Sequence, residues 1–292
     1  MKTIMDIKNV TKQFKGKIIL EDISFSIHAH QVVALVGKNG SGKSTLLKII
    51  GGLVNPDSGT ISKHIHPFTI GYVPEVTPSN ILFTPEEYLF HMGSIRGMPK
   101  NELQPRINYL LDIFNMQGSR KTRISDFSKG MKQKVMIIQA LLEEVNLLIL
   151  DEPLSGLDPK AQNDLEATLS LLKDKGLSII LTCHETKLLE NIVDEILSIN
   201  DCHVNQNNLV LNTIIHRNKL SFEISTQASL ENLHNYFENV QTRLLNPKVN
   251  TVKVIVKQED TDKILLELLK KNASIKELQP INPAKEDFYN HF

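Results

Sequence analysis

The chain opens in period two. In KIILEDISFSI, residues 17–27, apolar and polar side chains alternate, and TIMDIKNV, residues 3–10, follows the same rule more loosely. Such alternation predicts short strands that bury one face and wet the other. VVALV, residues 32–36, is apolar throughout and predicts a fully buried strand. A glycine-rich stretch follows, then a helix expected to run through about Leu53. The turn NPDSG leads to ISKHI and then to TIGYV, another expected strand. From Thr84 to Leu142 the period becomes helical. TPEEYLFHMGSI starts with Thr84 and has Glu87 three residues on, a capping pattern. NELQPRINYLLDIF sets Ile107, Leu110, Leu111 and Phe114 at helical spacing, with Pro105 tolerable only near the first turn. VNLLIL is too short for a helix and ends in acids, which predicts a central parallel strand. KAQNDLEATLSLLKDKG predicts a helix closed by Gly176, LSIILT a buried strand, and ETKLLENIV a helix. The whole pattern predicts an α/β fold, a mostly parallel sheet flanked by helices with a helical insertion.

Near Asn205 the texture changes. NQNN reads as a linker, and beyond it come LSFEI, a helix in SLENLHNYFE, QTRLL, TVKVIVK, a helix in TDKILLELLKK, and SIKEL. That order, β-α-β-β-α-β, is the split βαβ of a ferredoxin-like unit. Leu220, Phe222 and Ile224 alternate, as do Val252, Val254 and Val256, so each strand should bury one face. A short helix is expected in KEDFYNHF. The division expected is a large domain over 1–208, with a helical subdomain at about 76–142, and an α+β accessory domain over 209–292.

Composition narrows the function. Lys plus Arg and Asp plus Glu each number 33, so the formal charge is zero and the basic footprint of a nucleic-acid binder is missing. The two cysteines, Cys183 and Cys202, are too few for a disulfide framework, and a reducing compartment is expected. Each is followed by a histidine, but neither spacing matches a structural zinc site. No apolar run approaches the eighteen or so residues of a membrane span, and the polar, alternating N-terminal segment is unlike a signal peptide. A cytoplasmic protein is expected.

The chemistry concentrates in GKNGSGKST, Gly37 to Thr45, between the strand VVALV and a helix. That is the context of a phosphate-binding loop. Gly37, Gly40 and Gly42 let the backbone wrap closely and aim N–H groups inward, and the helix start adds its positive dipole end. Lys43 can reach the β- and γ-phosphates, and Ser44 can place a hydroxyl on Mg²⁺. Downstream, VNLLILDEP delivers Asp151 and Glu152 at the carboxyl end of a buried strand. Asp151 suits Mg²⁺, and Glu152 suits polarising the water that attacks a γ-phosphate. Between the two, Ser128 and Gly130 open the helix of DFSKGMKQKV, which alone is an ordinary N-cap or an anion site.

In this order the motifs closely resemble those of the ATP-binding-cassette (ABC) ATPases, over residues 1 to about 204. GKNGSGKST is similar to the family's Walker A motif, LLILDE to Walker B, SKGMKQ to the signature motif, SGLD (155–158) to the D-loop, and His184 to the switch histidine. The resemblance implies ATP and Mg²⁺ as ligands. It implies that Phe14 stacks on adenine, that Gly37, Asn39, Gly40, Ser41, Gly42, Lys43, Ser44 and Thr45 wrap the phosphates, and that Ser44, Glu75 and Asp151 hold the metal. Glu152 and His184 are then catalytic. Ser128, Lys129, Gly130 and Asp158 complete the site of a second cassette bound head-to-tail. A separate transmembrane permease is the implied partner, received near Glu75 to Arg96, and would hold the chain on the inner face of the cell membrane.

Three departures sharpen the resemblance. FSKGM stands where the family has LSGGQ, so Lys129 and Met131 replace a glycine and the glutamine; GYVPE puts Glu75 where glutamine is usual; and His30 occupies a turn that usually carries glycine. The first two resemble the exporter branch that includes bacitracin-type drug and antibiotic-peptide transporters. Two other functions share these motifs. A soluble ATPase acting on ribosomes or nucleic acid usually has two cassettes and a basic linker, against one cassette and no net charge here. A regulatory cassette with little turnover is disfavoured by the presence of Glu152 and His184.

Overall fold

The computed structural model describes residues 2–78, 80–183, 186–206, 217–224, 238–246 and 249–280. The chain forms two compact units, 1–207 and 208–291. In the first, strands β1 (Thr3–Phe14) and β2 (Lys17–His28) precede the short β3 (Val32–Val36), helix α1 (Lys43–Ile50), β4 (Ser58–Lys63) and β5 (Ile70–Val73). Helices α2 (Pro85–Ile95), α3 (Lys100–Ile113) and α4 (Lys129–Ala140) follow as the expected insertion. Then come β6 (Leu147–Leu150), α5 (Pro159–Asp174), β7 (Ser178–Thr182), α6 (Thr186–Asn191), β8 (Glu195–Asn200) and β9 (His203–Gln206).

Two sheets share one core. β2, β1 and β4 form an antiparallel sheet in that order, and the larger sheet runs β5-β6-β7-β3-β8-β9. Its first five strands are parallel and β9 is antiparallel to β8. Every residue of β3, β6 and β7 is buried, the expected consequence of covering both faces of a parallel strand. The alternating apolar positions of β1 and β2, such as Ile7, Leu20 and Ile23, pack with Leu46, Leu47 and Ile50 of α1 and with Leu35 and Ile149 of the parallel sheet. This layering fixes α1 at the carboxyl end of β3, where open α/β sheets bind ligands. Among the described residues no helix is long and apolar enough to cross a membrane.

Local chemistry explains most element ends. Thr84 accepts from the Glu87 N–H at 3.3 Å, and the Glu87 carboxylate accepts from the Thr84 N–H at 2.9 Å, so the capping box is complete. α1 stops at Ile50, short of the expected Leu53, because Gly51 caps it and Gly52 turns left-handed at φ 73°. α3 begins at Lys100 on its Pro99 N-cap, so Pro105 is the sixth residue, in the helix interior and not in the first turn. The ring removes one backbone bond there, and burial of Leu103, Ile107, Leu110 and Leu111 holds the helix nonetheless. His30 is left-handed, φ 61°, as the turn requires. Its amide donates to Ser178 Oγ at 2.9 Å, as any residue's would, and its Nδ1 lies 2.5 Å from the Gly176 carbonyl oxygen, a contact that glycine would lack.

The second unit contains β10 (Arg217–Ile224), β11 (Glu238–Asn246), β12 (Val249–Lys257), α7 (Gln258–Lys270) and β13 (Ser274–Pro280). Its sheet is antiparallel in the order β11-β12-β10-β13. Leu220, Phe222, Val252, Val254 and Val256 form its core with Ile264 and Leu268 of α7. Of the helix expected in SLENLHNYFE, residues 229–238, all but Glu238, which opens β11, lie outside the described residues, as does the helix expected over 285–292.

Candidate functional site

Two glycines of the loop between β3 and α1 leave no room for a side chain. A Cβ on Gly37, at φ 149°, would come within 2.6 Å of the Ile199 carbonyl oxygen. Gly42 is the N-cap of α1 in a left-handed conformation, φ 104°, with Leu20 and Ile19 pressed against it. The first helical bond runs from Leu46 N to Gly42 O, at 2.8 Å. The N–H groups of Lys43, Ser44 and Thr45 therefore have no partner within the helix and are available to an anion. Ser41 Oγ is buried without a hydrogen-bond partner among the described residues. An orphaned hydroxyl in a glycine-rich loop is what a bound phosphate would satisfy.

Lys43 bridges this loop. It is 5% exposed, and its ammonium donates to the carbonyls of Gly37 at 2.8 Å and Lys38 at 3.1 Å. Burial pushes its pKa down, while the carboxylates of Glu152, Asp151 and Glu75 push it back up. The group is thus a buried cation held by acids, poised to exchange two carbonyl acceptors for phosphate oxygens.

The acids stand opposite. Asp151, at the end of β6, is buried, and its Oδ1 accepts from Ser44 Oγ at 3.0 Å and Thr182 Oγ1 at 2.9 Å. The same Thr182 oxygen accepts from the Glu152 N–H at 2.6 Å. Glu152 itself, two residues past β6, is left-handed, φ 45°, a strained conformation for a non-glycine residue, and it lines the cleft. A serine hydroxyl converging on one carboxylate, with Glu75 lining the same cleft, is an all-oxygen donor set that suits Mg²⁺. Behind it the Tyr72 hydroxyl is buried and has no hydrogen-bond partner among the described residues, its pKa pushed up to about 12 by burial and then by the charge of Asp151.

The cleft holds about 430 Å³ and is lined by Phe14, Ile19, Asn39, Gly40, Gly42, Lys43, Ser44, Thr45, Glu75 and Glu152. Phe14 is 47% exposed at its rim, with the Lys12 ammonium 5.3 Å from the ring centroid. Ser128, Lys129, Gly130 and Asp158 do not line it. Ser128 caps α4, accepting from Met131 N at 3.3 Å, and Asp158 caps α5, accepting from Ala161 N at 2.9 Å. Lys129 lies with Lys132 and Glu75 on a neighbouring groove of about 320 Å³. His184 lies outside the described residues. Sequence reasoning missed Thr182 and Ile19. The signal for Thr182 was a lone polar residue ending an apolar strand; Ile19 sits in an alternating strand and gave none.

A family model described as ABC transporter matches residues 20–155. Over 200 residues the chain is 33% identical to an uncharacterized ABC transporter ATP-binding protein of Methanocaldococcus jannaschii, covering 68% of this chain and 74% of that one. This chain belongs to the ABC transporter ATP-binding proteins. It is also 33% identical over 201 residues to Nod factor export ATP-binding protein I of Rhizobium johnstonii, covering 66% of this chain and 65% of the relative. A solved structure of the ATP-binding subunit of an ABC transporter superposes with a TM-score of 0.62 at 32% identity, over 72% of this chain and 92% of that one. The parallel sheet, antiparallel sheet and helical insertion are therefore those of an ABC ATPase cassette, a domain that binds ATP. The alignments to the two relatives reach 74% and 65% of their own length.

Proposed function

We propose that this ABC ATP-binding subunit hydrolyses ATP to drive an exporter, pairing head-to-tail with a second copy and acting on a separate transmembrane permease. The observation that carries the reading is the incompleteness of the cleft. Phe14, the loop, Lys43, Ser44, Glu75 and Glu152 line it, while Ser128 and Gly130 of the same chain stand outside it. A second copy would supply them, closing over ATP bound on the first.

In this reading Phe14 stacks on adenine, and Lys43 with the loop amides holds the β- and γ-phosphates. Ser44, Asp151 and Glu75 would hold Mg²⁺, which neutralises charge developing on the phosphoryl oxygens. Glu152 accepts a proton from the attacking water, and His184 contacts the γ-phosphate. Ser128, Lys129, Gly130 and Asp158 act on the nucleotide of the other copy. Pairing buries ATP, hydrolysis releases the pair, and the permease receives the motion.

Export as the direction is supported by the export ATP-binding relative and by FSKGM and GYVPE, which resemble the bacitracin-type branch. The second unit is read as a ferredoxin-like packing or dimer-stabilising module, a reading supported by β12 lying between β10 and β11. The test is turnover per chain against chain concentration. Composite sites require turnover per chain to rise steeply with concentration until pairs saturate. A rate per chain that stays constant down to fully monomeric dilution contradicts the reading.

A further inference from the structure

α4 carries a buried charge that the nucleotide cleft does not use. Lys134 is 7% exposed, and its ammonium donates to the Phe114 carbonyl oxygen at 3.0 Å and pairs with Asp164 of α5. Phe114 is the C-cap residue of α3, where a cation also meets the negative end of the helix dipole. One lysine thus joins three helices.

Two further contacts run along the same junction. Gly130, one helical turn before Lys134, packs so closely on α5 that a Cβ there would come within 2.8 Å of Ala161 Cβ. The Lys129 ammonium lies 2.7 Å from the position of a Cβ on Gly156, in the loop that leads to Asp158. Residues 129, 130 and 134 therefore meet residues 156, 161 and 164 in register. Ala161 is also the residue whose N–H donates to the capping carboxylate of Asp158. Ser128 and Asp158, the two N-caps, stand at the same end of this junction.

Burying a lysine is a poor way to gain stability. A buried ion pair often contributes no more than well-packed apolar side chains of similar volume, whereas it does restrict how two elements can pack. We propose that Lys134 is a positioning residue: it locks α4 to α5 so that Ser128 and Asp158 meet the second copy as one rigid face. The inference rests on the head-to-tail reading above. Without the lock, Ser128 and Asp158 would reach the other nucleotide independently, and pairing would bear the cost of ordering them.

The experiment compares Lys134→Met with Lys134→Arg in full-length chain carrying Glu152→Gln. ATP-dependent pairing is measured by analytical ultracentrifugation, and binding of a fluorescent ATP analogue is measured on dilute monomer. Lys134→Met is expected to raise the concentration for half-pairing by at least about tenfold. Its monomer should bind the analogue within about twofold of the parent, because Lys134 is remote from the cleft. Lys134→Arg should recover most of the pairing, since it restores a buried cation. Asp164→Asn, at a half-exposed carboxylate, should weaken pairing in the same direction. Unchanged pairing in both Lys134→Met and Asp164→Asn overturns the inference. Failure of the parent Glu152→Gln chain to pair with ATP overturns the head-to-tail reading, and the inference with it.

Discussion

Exchanging Glu152 for glutamine is expected to lower ATP turnover by about 10²–10⁴-fold, the range for losing a general base, while ATP stays bound and paired chains accumulate. The geometry separates these effects. The Glu152 backbone is fixed by its N–H bond to Thr182 Oγ1, and Thr182 also donates to Asp151, so neither bond depends on the Glu152 carboxylate. Glutamine keeps the shape of the side chain and removes only its charge and proton affinity. It also removes a negative charge from a cleft that must accept a triphosphate, which favours binding. A coupled phosphate-release assay reads the rate, and light scattering with and without Mg²⁺-ATP reads the pair. Near-normal turnover in this variant would assign the base elsewhere.

Exchanging Lys43 for methionine is expected to cost about 10²–10³-fold in turnover, the scale for removing one charge-stabilising donor, and to weaken ATP binding as well. The stem survives and the charge is lost. Phosphate oxygens would then face Glu152, Asp151 and Glu75, the acids that now raise the lysine's pKa against its burial, with no cation between. Folding changes little, because methionine loses two hydrogen bonds to loop carbonyls but also the cost of burying an ammonium. The pH dependence has a definite sign. Burial holds the folded pKa of Lys43 below its ordinary value, so the unfolded chain binds that proton more tightly. Wild-type stability therefore gains on Lys43→Met as pH rises through the depressed folded value and stops gaining above the unfolded one. Thermal melts of both chains across that range check it.

The parts of this site differ in how plainly the residues declare them. The phosphate loop is legible because two of its three glycines answer local constraints that disfavour any side chain: φ 149° against Ile199 at Gly37, and a left-handed cap at Gly42. The acid strand is legible because Asp151 and Glu152 end an apolar run too short for a helix. His30 was readable as a left-handed turn residue only through the family resemblance, which usually puts a glycine in that turn. Thr182 was hidden because a threonine ending a strand has many uses, and its value comes from β6 lying beside β7. Lys134 was hidden for a similar reason. A lysine on a polar-looking helix reads as solvated until α3 and α5 are known to enclose it. The end of α1 and the depth of Pro105 were set by neighbouring turns and packing, which periodicity alone does not resolve.

Head-to-tail completion is the central claim, and mixing two inactive chains tests it most directly. Lys43→Met spoils the phosphate loop and leaves Ser128 intact. Ser128→Asp keeps a good N-cap for α4 and sets a carboxylate where phosphate should approach. Each chain alone should turn over ATP only at background. Mixed in equal amounts, half of the pairs would join one chain of each kind and carry one intact composite site. The mixture should therefore recover roughly a quarter of the wild-type rate. No recovery at any mixing ratio, or full activity of Ser128→Asp by itself, would contradict the account.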